Sequence, residues 1–370
     1  MGECMMQAIQ VQAGPSVYQC EEDVLLSLEE KLLKYGFRNV LVIHGEKSWK
    51  AVEPYFPAFK ELVATFVPYS GHCSENEIDR VAEHQADVIV GIGGGTVLDL
   101  TKAVANKIGK DAVLIPTLAA TCAAWTPLSV IYDDQDRFVR FEVFPRANLL
   151  VLIEPRVLLT SPPEYLRAGI ADTLAKWYEA RALTEQLETK RVSIELAVNT
   201  AKLCKDVLLE HGAAAIEALN KGVSNHSFIQ VIETNILAGG LVGSLGDRYG
   251  RIAAAHSVHN ALTQFEETHH LLHGEKVAYG ILVQLALEKR VDELVELQPY
   301  YHELQLPYLF THLKLDFESL ETKQKIAEWT LKKGESIHMM GQYFTEEDII
   351  LALETVEETL KKLLKGRYST

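Results

Sequence analysis

The sequence predicts an N-terminal α/β domain with a mostly parallel sheet, residues 1–161, followed by an all-α C-terminal domain, residues 162–370. Short continuous apolar runs of the buried-strand kind alternate with helical patterns up to residue 153. The stretch Ser161-Pro162-Pro163 then interrupts the alternation. From Glu164 onward almost every segment carries the apolar spacing of an amphipathic helix. A chain of 370 residues also fits two domains at about 150 residues each.

In order along the chain, residues 22–35 have helical spacing and end at Gly36, a residue suited to the position after a helix. NVLVIH (39–44) and ATFVPY (64–69) read as strands. Ser74 and Glu77 have the spacing of a capping box that opens a helix through about residue 86. ADVIVGIGGG (86–95) is a strand running into glycines, followed by a helix over 96–108. AVLIPT (112–117), LSVIY (128–132) and NLLVLI (148–153) complete the strands. Long helices are expected over 164–183, 189–211, 225–244, 251–265 and 275–290, with a charged final helix over 346–364.

Composition narrows the function. Hydrophobic residues are 48% and charged residues 24%, an ordinary globular balance. With 36 basic and 51 acidic residues the net charge is −15. So acidic a chain is poorly suited to non-specific nucleic-acid or anionic-membrane binding, and neither partner is expected. No apolar run has the length of a membrane span, and the N-terminal segment lacks the charge and apolar pattern of a secretory signal. The five cysteines are scattered without a CxxC pair, which suits free thiols in the cytoplasm.

Three motifs carry candidate chemistry. Gly91-Ile92-Gly93-Gly94-Gly95-Thr96 lies between a strand and a helix, where backbone N–H groups can approach a phosphate. The spacing is neither that of the standard dinucleotide fingerprint nor that of a P-loop, and a tight turn is the plainer alternative. Asp172 lies early in the first C-terminal helix, where an acid commonly offsets the helix dipole. His256, His259, His269, His270 and His273 crowd into one stretch. Two imidazoles from successive helix ends plus a carboxylate make a three-ligand site with an open position, as a catalytic divalent metal needs; the alternative is local hydrogen bonding.

The strings GIGGGTVLDLTKAVA (91–105), PTLAATCAAWTPLSVIY (116–132), AGIADTLAKWYEA (168–180) and AAHSVHNALTQFEETHHLLHGEKVAYG (254–280) resemble the iron-containing (group III) alcohol dehydrogenases, in their glycerol dehydrogenase branch. Within that branch GHCSE, AATCAAWTPLSV, GDR and ESIH resemble hydroxycarboxylate dehydrogenase-like members. The resemblance implies a Rossmann-like N-terminal domain in the dehydroquinate synthase-like, glycerol dehydrogenase-like fold. It implies Asp172, His256 and His273 as metal ligands. Gly93, Gly94, Gly95 and Thr96 would cradle the cofactor pyrophosphate, and Thr117, Thr126, Leu128 and Tyr132 would line the dinucleotide. The implied activity is hydride transfer between an alcohol or ketone and NAD or NADP, with a homo-oligomer as the expected assembly. His259 and His270 are the candidates for the proton relay.

Departures from the family pattern refine these expectations. Where many iron-type members carry a further His after the Asp, this chain has Lys176, which points to zinc rather than iron. Cys122 stands where glycerol dehydrogenases place a polyol-binding Asp, and loss of that carboxylate removes repulsion toward an anionic substrate. Arg248 and Arg251 are candidates to clamp a substrate carboxylate, with a surface ion pair to Asp247 as the alternative. A 2-hydroxy acid/2-oxo acid pair is therefore the expected substrate, with glycerol or another polyol as the alternative. Gly45 stands where NAD-preferring relatives have an Asp, and Lys47 with Ser48 could take a 2′-phosphate, which leans the cofactor toward NADP; Glu46 acting as that acid would favour NAD. A reading from another class is a dehydroquinate synthase-like lyase, which carries Glu where this chain has Asp172 and recycles its nucleotide.

Overall fold

Eight strands form two sheets in the computed structural model, which describes residues 9–135 and 137–367, with side chains through 365. The strands are β1 (Val17–Cys20), β2 (Asn39–His44), β3 (Val63–Pro68), β4 (Val88–Gly93), β5 (Asp111–Pro116), β6 (Leu128–Tyr132), β7 (Phe138–Val143) and β8 (Leu150–Ile153). Six make a sheet in the order β1-β8-β5-β4-β2-β3, and every pairing in it is parallel. Burial follows that order. The central strands β4 and β8 are buried throughout, while the edge strands β1 and β3 are largely not. This is why β2, β4, β5 and β8 read as unbroken apolar runs.

The structure corrects the sequence reading in several places. LSVIY is a strand, but it leaves the parallel sheet and pairs antiparallel with β7. β7 was not expected, and its apolar residues Phe138, Val139, Phe141 and Val143 are exposed. β1 is likewise an addition, a four-residue edge strand with no fully buried position. The helix expected over 22–35 is a 3-10 turn, Val24–Ser27, leading into Leu28–Lys34. It stops as expected: Gly36 has φ +82, its N–H donates to Leu33 O, and Phe37 N–H donates to Leu32 O. Only half of the capping box forms. Ser74 Oγ accepts from Glu77 N, whereas the Glu77 carboxylate turns to Ser70 N and Arg80.

The sheet order creates a switch point. The chain leaves β2 toward β3 on one side, while β4 lies on the other. In open α/β sheets, ligands bind beyond the strand C-termini at such a point. The helix that follows β2, Glu46–Val52, is tied to the end of β4 there, because Ser48 Oγ donates to Ile92 O at 2.8 Å.

The described residues divide into two compact units, 12–166 with 214–241, and 9–11 with 167–213 and 242–367. This departs from a single division at 161/162. Within the α/β unit the reason is Trp125. A Cβ on Gly14 or on Gly240 would lie 2.4 Å from its indole ring, and Asn235 Nδ2 donates to Ala119 O at 2.9 Å. Residues 214–241 therefore pack with the 119–125 segment.

The helical unit includes most of Pro163–Thr184, residues 192–213 of Val192–Lys221, and Ala254–Leu262, His273–Leu287, Val291–Glu303, Leu320–Thr330 and Glu346–Arg367. The helix expected over 225–244 contains a π-turn, Thr234–Ala238, between His226–Glu233 and Gly239–Gly246. Against the sequence expectation, the helical run His226–Gly250 is long and apolar enough to cross a membrane by length and composition; 61% of its most apolar 18-residue stretch is buried inside the protein, as in a packed core helix.

Candidate metal centre and nucleotide loop

Three helices of one unit converge on the histidine cluster. Asp172 lies in the middle of Pro163–Thr184 rather than in its first turn, so dipole compensation does not account for it. His256 lies on Ala254–Leu262, and His273 is the first residue of His273–Leu287. Glycine permits the close approach. A Cβ on Gly274 would lie 1.8 Å from Ala168 O, and one on Gly280 would lie 2.2 Å from Ala255 O. The strings HG and YG thus place the His273 helix against the helices of both other residues.

Asp172 Oδ1 lies 3.3 Å from Nε2 of His256 and 3.3 Å from Nε2 of His273, and it is buried without a hydrogen-bond partner. Ligands about 2.0–2.1 Å from a tetrahedral metal stand about 3.3–3.4 Å apart, so these edges are those of a coordination shell. One ligand atom from each of the three residues lies within 4.8 Å of the others. Asp172 and His256 are buried, while the His273 side chain is 45% exposed and leaves one side open.

The electrostatics suit a cation. Burial works against an imidazolium at His256, but Glu179 and Asp172 outweigh it and push the pKa up to about 9. Burial works against the Asp172 carboxylate too, yet Lys176, His256 and His273 hold it well below the usual range.

Glu179, which the sequence reading missed, sits behind His256. Its Oε2 lies 2.8 Å from His256 Nδ1, and its Oε1 accepts from Ala253 N at 2.7 Å and His256 N at 3.1 Å. A carboxylate in that place fixes the imidazole with Nδ1–H donating and Nε2 facing the site, and it raises the basicity of that ligand. Its signal was present: Asp172 and Glu179 are seven residues apart and therefore share a helix face.

The other predicted residues of this unit separate. His259 belongs to the cluster, its ring 4.2 Å from that of His273 and 6.3 Å from that of His256. Burial, then His273 and His256, hold its pKa well below the usual value, so it is neutral. His270 is exposed and engaged with Glu267 O at 2.7 Å. Arg251 takes the Asp247 ion pair at 3.4 Å, and Arg248 lies 4.9 Å from the Tyr249 ring centroid. Lys176 Nζ donates to Arg251 O at 3.3 Å.

In the other unit the glycine loop is open at a helix N-terminus. Gly93 ends β4, Gly94 is the N-cap, and Gly95 and Thr96 begin the helix Gly95–Lys107. No side chain caps that helix and its first turn holds no acid, so its leading N–H groups face outward for an anion. A Cβ on Gly91 would strike Thr101 Oγ1 at 2.2 Å, and one on Gly93 would strike Val97 Cβ at 2.6 Å. Those two glycines serve helix-on-strand packing. Gly95 does not, since its nearest neighbours would be Thr121 Oγ1 at 3.6 Å and Ala123 Cβ at 3.7 Å. The tight-turn alternative therefore leaves Gly95 unexplained, and the cradle fits a pyrophosphate.

The remaining nucleotide candidates are braced by a buried lysine. Lys102 Nζ donates to the carbonyls of Ala123, Thr126 and Leu128, and it pairs with Asp99 at 2.8 Å. It thereby holds the segment that carries Cys122, Thr126 and Leu128. Thr117 N donates to Gly93 O, and Tyr132 N donates to Cys73 O. Gly45 is the N-cap of Glu46–Val52. Ser48 Oγ is committed to Gly45 and Ile92, Glu46 is paired with Lys50 at 2.7 Å, and Lys47 is exposed.

The comparisons with known proteins agree with this fold and identify the family. The family described as iron-containing alcohol dehydrogenase matches residues 15–153. Hydroxycarboxylate dehydrogenase A of Escherichia coli (strain K12) is 40% identical over 94% of this chain and 98% of its own length. The glycerol dehydrogenase of Thermotoga maritima is 36% identical over 89% of this chain and 92% of its own. Among solved structures, glycerol dehydrogenase from Schizosaccharomyces pombe superposes with a TM-score of 0.86 at 27% identity, over 98% of this chain and 94% of that one. A probable glycerol dehydrogenase from Sinorhizobium meliloti 1021 gives 0.82 at 27% identity, over 95% and 99%. All of these are dehydrogenases, which leaves the lyase alternative without support. The chain is an NAD(P)- and metal-binding oxidoreductase acting on a small molecule, and it belongs to the iron-containing alcohol dehydrogenase family.

Proposed function

We propose that this dehydrogenase interconverts a small 2-hydroxy acid and its 2-oxo acid, with the metal held by Asp172, His256 and His273, and with NADP and zinc ahead of NAD and iron. The observation that carries the metal assignment is the orphaned Asp172 Oδ1, 3.3 Å from both imidazole Nε2 atoms. Support for the acid comes from Cys122, which puts no carboxylate where a polyol-binding Asp would repel an anion. The 40% identity to a protein named hydroxycarboxylate dehydrogenase A points the same way. Lys176, in the place of a further histidine, leaves three protein ligands and an open position, a donor set that suits zinc. At the nucleotide, Gly45 offers no acid to repel a 2′-phosphate and Lys47 is free of the Glu46–Lys50 pair.

Bound in these places, the cation supplies Lewis acidity toward the substrate oxygen and the nicotinamide supplies or accepts the hydride. The chain's own residues do the rest. Asp172 and Glu179 concentrate negative charge on the cation side, and Glu179 holds His256 in its tautomer. The N–H groups at Gly95 and Thr96 orient the pyrophosphate. His259, neutral and in contact with His273, donates from Nδ1 to Asn260 Oδ1 at 3.0 Å; its Nε2 then remains free to take the hydroxyl proton.

Absorbance at 340 nm tests the reading, with zinc-loaded protein and NADH or NADPH against 2-oxobutanoate, 2-oxoglutarate and dihydroxyacetone. Rapid oxidation of NADPH with an oxo acid, and little with dihydroxyacetone, is the expected result. The reverse substrate preference would make the protein a polyol dehydrogenase.

A further inference from the structure

The segment Glu335-Ser336-Ile337-His338 plays no part in the function above, yet it is fixed to the helix Ala254–Leu262, which carries His256 and His259. Ser336 Oγ donates to Ala253 O at 2.7 Å, and Ile337 N donates to Ser257 Oγ at 3.0 Å. Ala253, Ser257, Ser336 and Ile337 are all buried. Ala253 also gives its N–H to Glu179 Oε1 at 2.7 Å, so this segment and the carboxylate behind His256 hold the same residue. The docking brings Glu335 to Asn260. Asn260 Nδ2 donates to Glu335 Oε2 at 3.0 Å and to Oε1 at 3.3 Å, and Asn260 Oδ1 lies 3.0 Å from Nδ1 of the buried His259.

The direction of this chain follows from its outer end. An ionised carboxylate accepts hydrogen bonds and donates none. Asn260 must therefore turn its N–H groups to Glu335, which leaves its oxygen for His259. An oxygen acceptor requires the proton on Nδ1, so Nε2 of the neutral ring keeps its lone pair. Asn260 alone does not make that choice, because its amide offers a donor or an acceptor depending on which way it is turned. Glu335 thus decides the tautomer of a ring that lies 4.2 Å from the ring of His273.

We propose that Glu335 is a positioning residue of the reaction: through Asn260 it sets the hydrogen-bond direction that presents His259 Nε2 bare to the substrate hydroxyl. The inference rests on the reading of His259 as the group that meets that hydroxyl. The effect belongs in kcat, since Glu335 governs how His259 is presented and not what holds the cation or the nucleotide.

The test is Glu335→Gln, whose amide donates as well as accepts and so lets Asn260 turn round. In zinc-loaded protein oxidising 2-hydroxybutanoate or glycerol, whichever it turns over, kcat should fall about 3- to 10-fold, the worth of one ordinary hydrogen bond. Zinc content and the cofactor KM should stay at wild-type values. Proton–nitrogen NMR of histidine-labelled protein reads the tautomer directly, with the His259 signal identified by its absence from His259→Gln. Wild type should show the Nδ1–H form, and Glu335→Gln a mixture with Nε2–H. Asn260→Asp combined with Glu335→Gln restores an acceptor toward His259 and a donor behind it, and should recover the Nδ1–H form and most of kcat. An Nε2–H form in wild type, or a tautomer unchanged by Glu335→Gln, would overturn the inference. A loss of kcat that the double variant does not recover while it holds Nδ1–H would also overturn it, by making Glu335 structural. A tautomer that shifts in Glu335→Gln with kcat unchanged would leave Glu335 without a role in the reaction. Wild-type kcat in His259→Gln would instead refute the reading of His259, whatever the tautomer, and the inference with it.

Discussion

The two candidate sites are made of different material. The nucleotide loop of the α/β unit is backbone: glycines at the end of β4, an uncapped helix N-terminus, and a segment whose carbonyls Lys102 gathers. The metal centre of the helical unit is side chain: one carboxylate and two imidazoles from three helices, with a second carboxylate behind them. A backbone site tolerates many side chains and fails when a Cβ fills the wrong space. A side-chain site fails when one donor is lost, whatever happens to the packing. The predictions below press on that difference.

The largest effect belongs to Asp172. Asp172→Asn keeps the shape and removes the ligand charge, and kcat/KM should fall about 10³-fold or more, since Lewis-acid stabilisation is worth several kcal/mol. Zinc content measured after dialysis should fall with it; retained zinc with lost activity would break the ligand assignment. Next is Glu179, which touches no substrate and acts through His256. Glu179→Ala should weaken zinc binding about 10- to 100-fold, as loss of an outer-shell partner does. Glu179→Gln keeps one acceptor oxygen, enough for the two backbone N–H groups but not for Nδ1 as well, so its loss should lie between that of Glu179→Ala and none. Equal zinc affinity in both variants and wild type would remove Glu179 from the centre.

The backbone site predicts the opposite pattern. Gly95→Ala has room, with Thr121 Oγ1 at 3.6 Å as its nearest contact, and alanine is the better helix former. Stability should therefore hold or rise slightly while the cofactor KM increases about tenfold, because the new methyl stands where a phosphate must approach N–H donors. Zinc content should be unchanged. A stable Gly95→Ala variant with the wild-type cofactor KM would return the glycine run to an ordinary turn.

Legibility followed the same division. β2, β4, β5 and β8 could be read because burial on both faces demands unbroken apolar runs. β1 and β7 could not, since a short edge strand and an exposed hairpin strand carry no such demand. The histidine cluster was visible because histidine is uncommon and crowded there, whereas Asp172 as its partner was implied only by the family resemblance. Glu179 was hidden by being one of many acids, and Lys102 because its acceptors are carbonyls that no sequence pattern announces. Cys73, in the GHCSE string, is explained only by the fold, where its carbonyl accepts from Tyr132 N beside the Ser74–Tyr132 bridge. The assignment of residues 214–241 to the α/β unit depended on Trp125 finding Gly240, a contact no periodicity encodes.

Glu77 offers the smallest effect and the cleanest contrast with Asp172, since both are buried carboxylates. Glu77 is fully partnered: Arg80 donates to its two oxygens at 2.7 Å each, and Ser70 N donates at 3.0 Å. Burial pushes its pKa up, but Arg80 and Ser70 more than offset this and hold it below the usual carboxylate value. A carboxyl with a depressed folded pKa binds fewer protons than the unfolded chain does, so its contribution is fully present above the unfolded value, about 4.5, and is lost as pH falls through the folded one. Glu77→Gln should therefore have a lower Tm than wild type by a constant margin from pH 5 to 7, narrowing as the pH is taken toward 3. Zinc content and cofactor KM at pH 7 should match wild type, which is the signature of a carboxylate that serves the fold. A Tm difference that did not narrow in acid would show that Glu77 acts through its packing rather than through its charge.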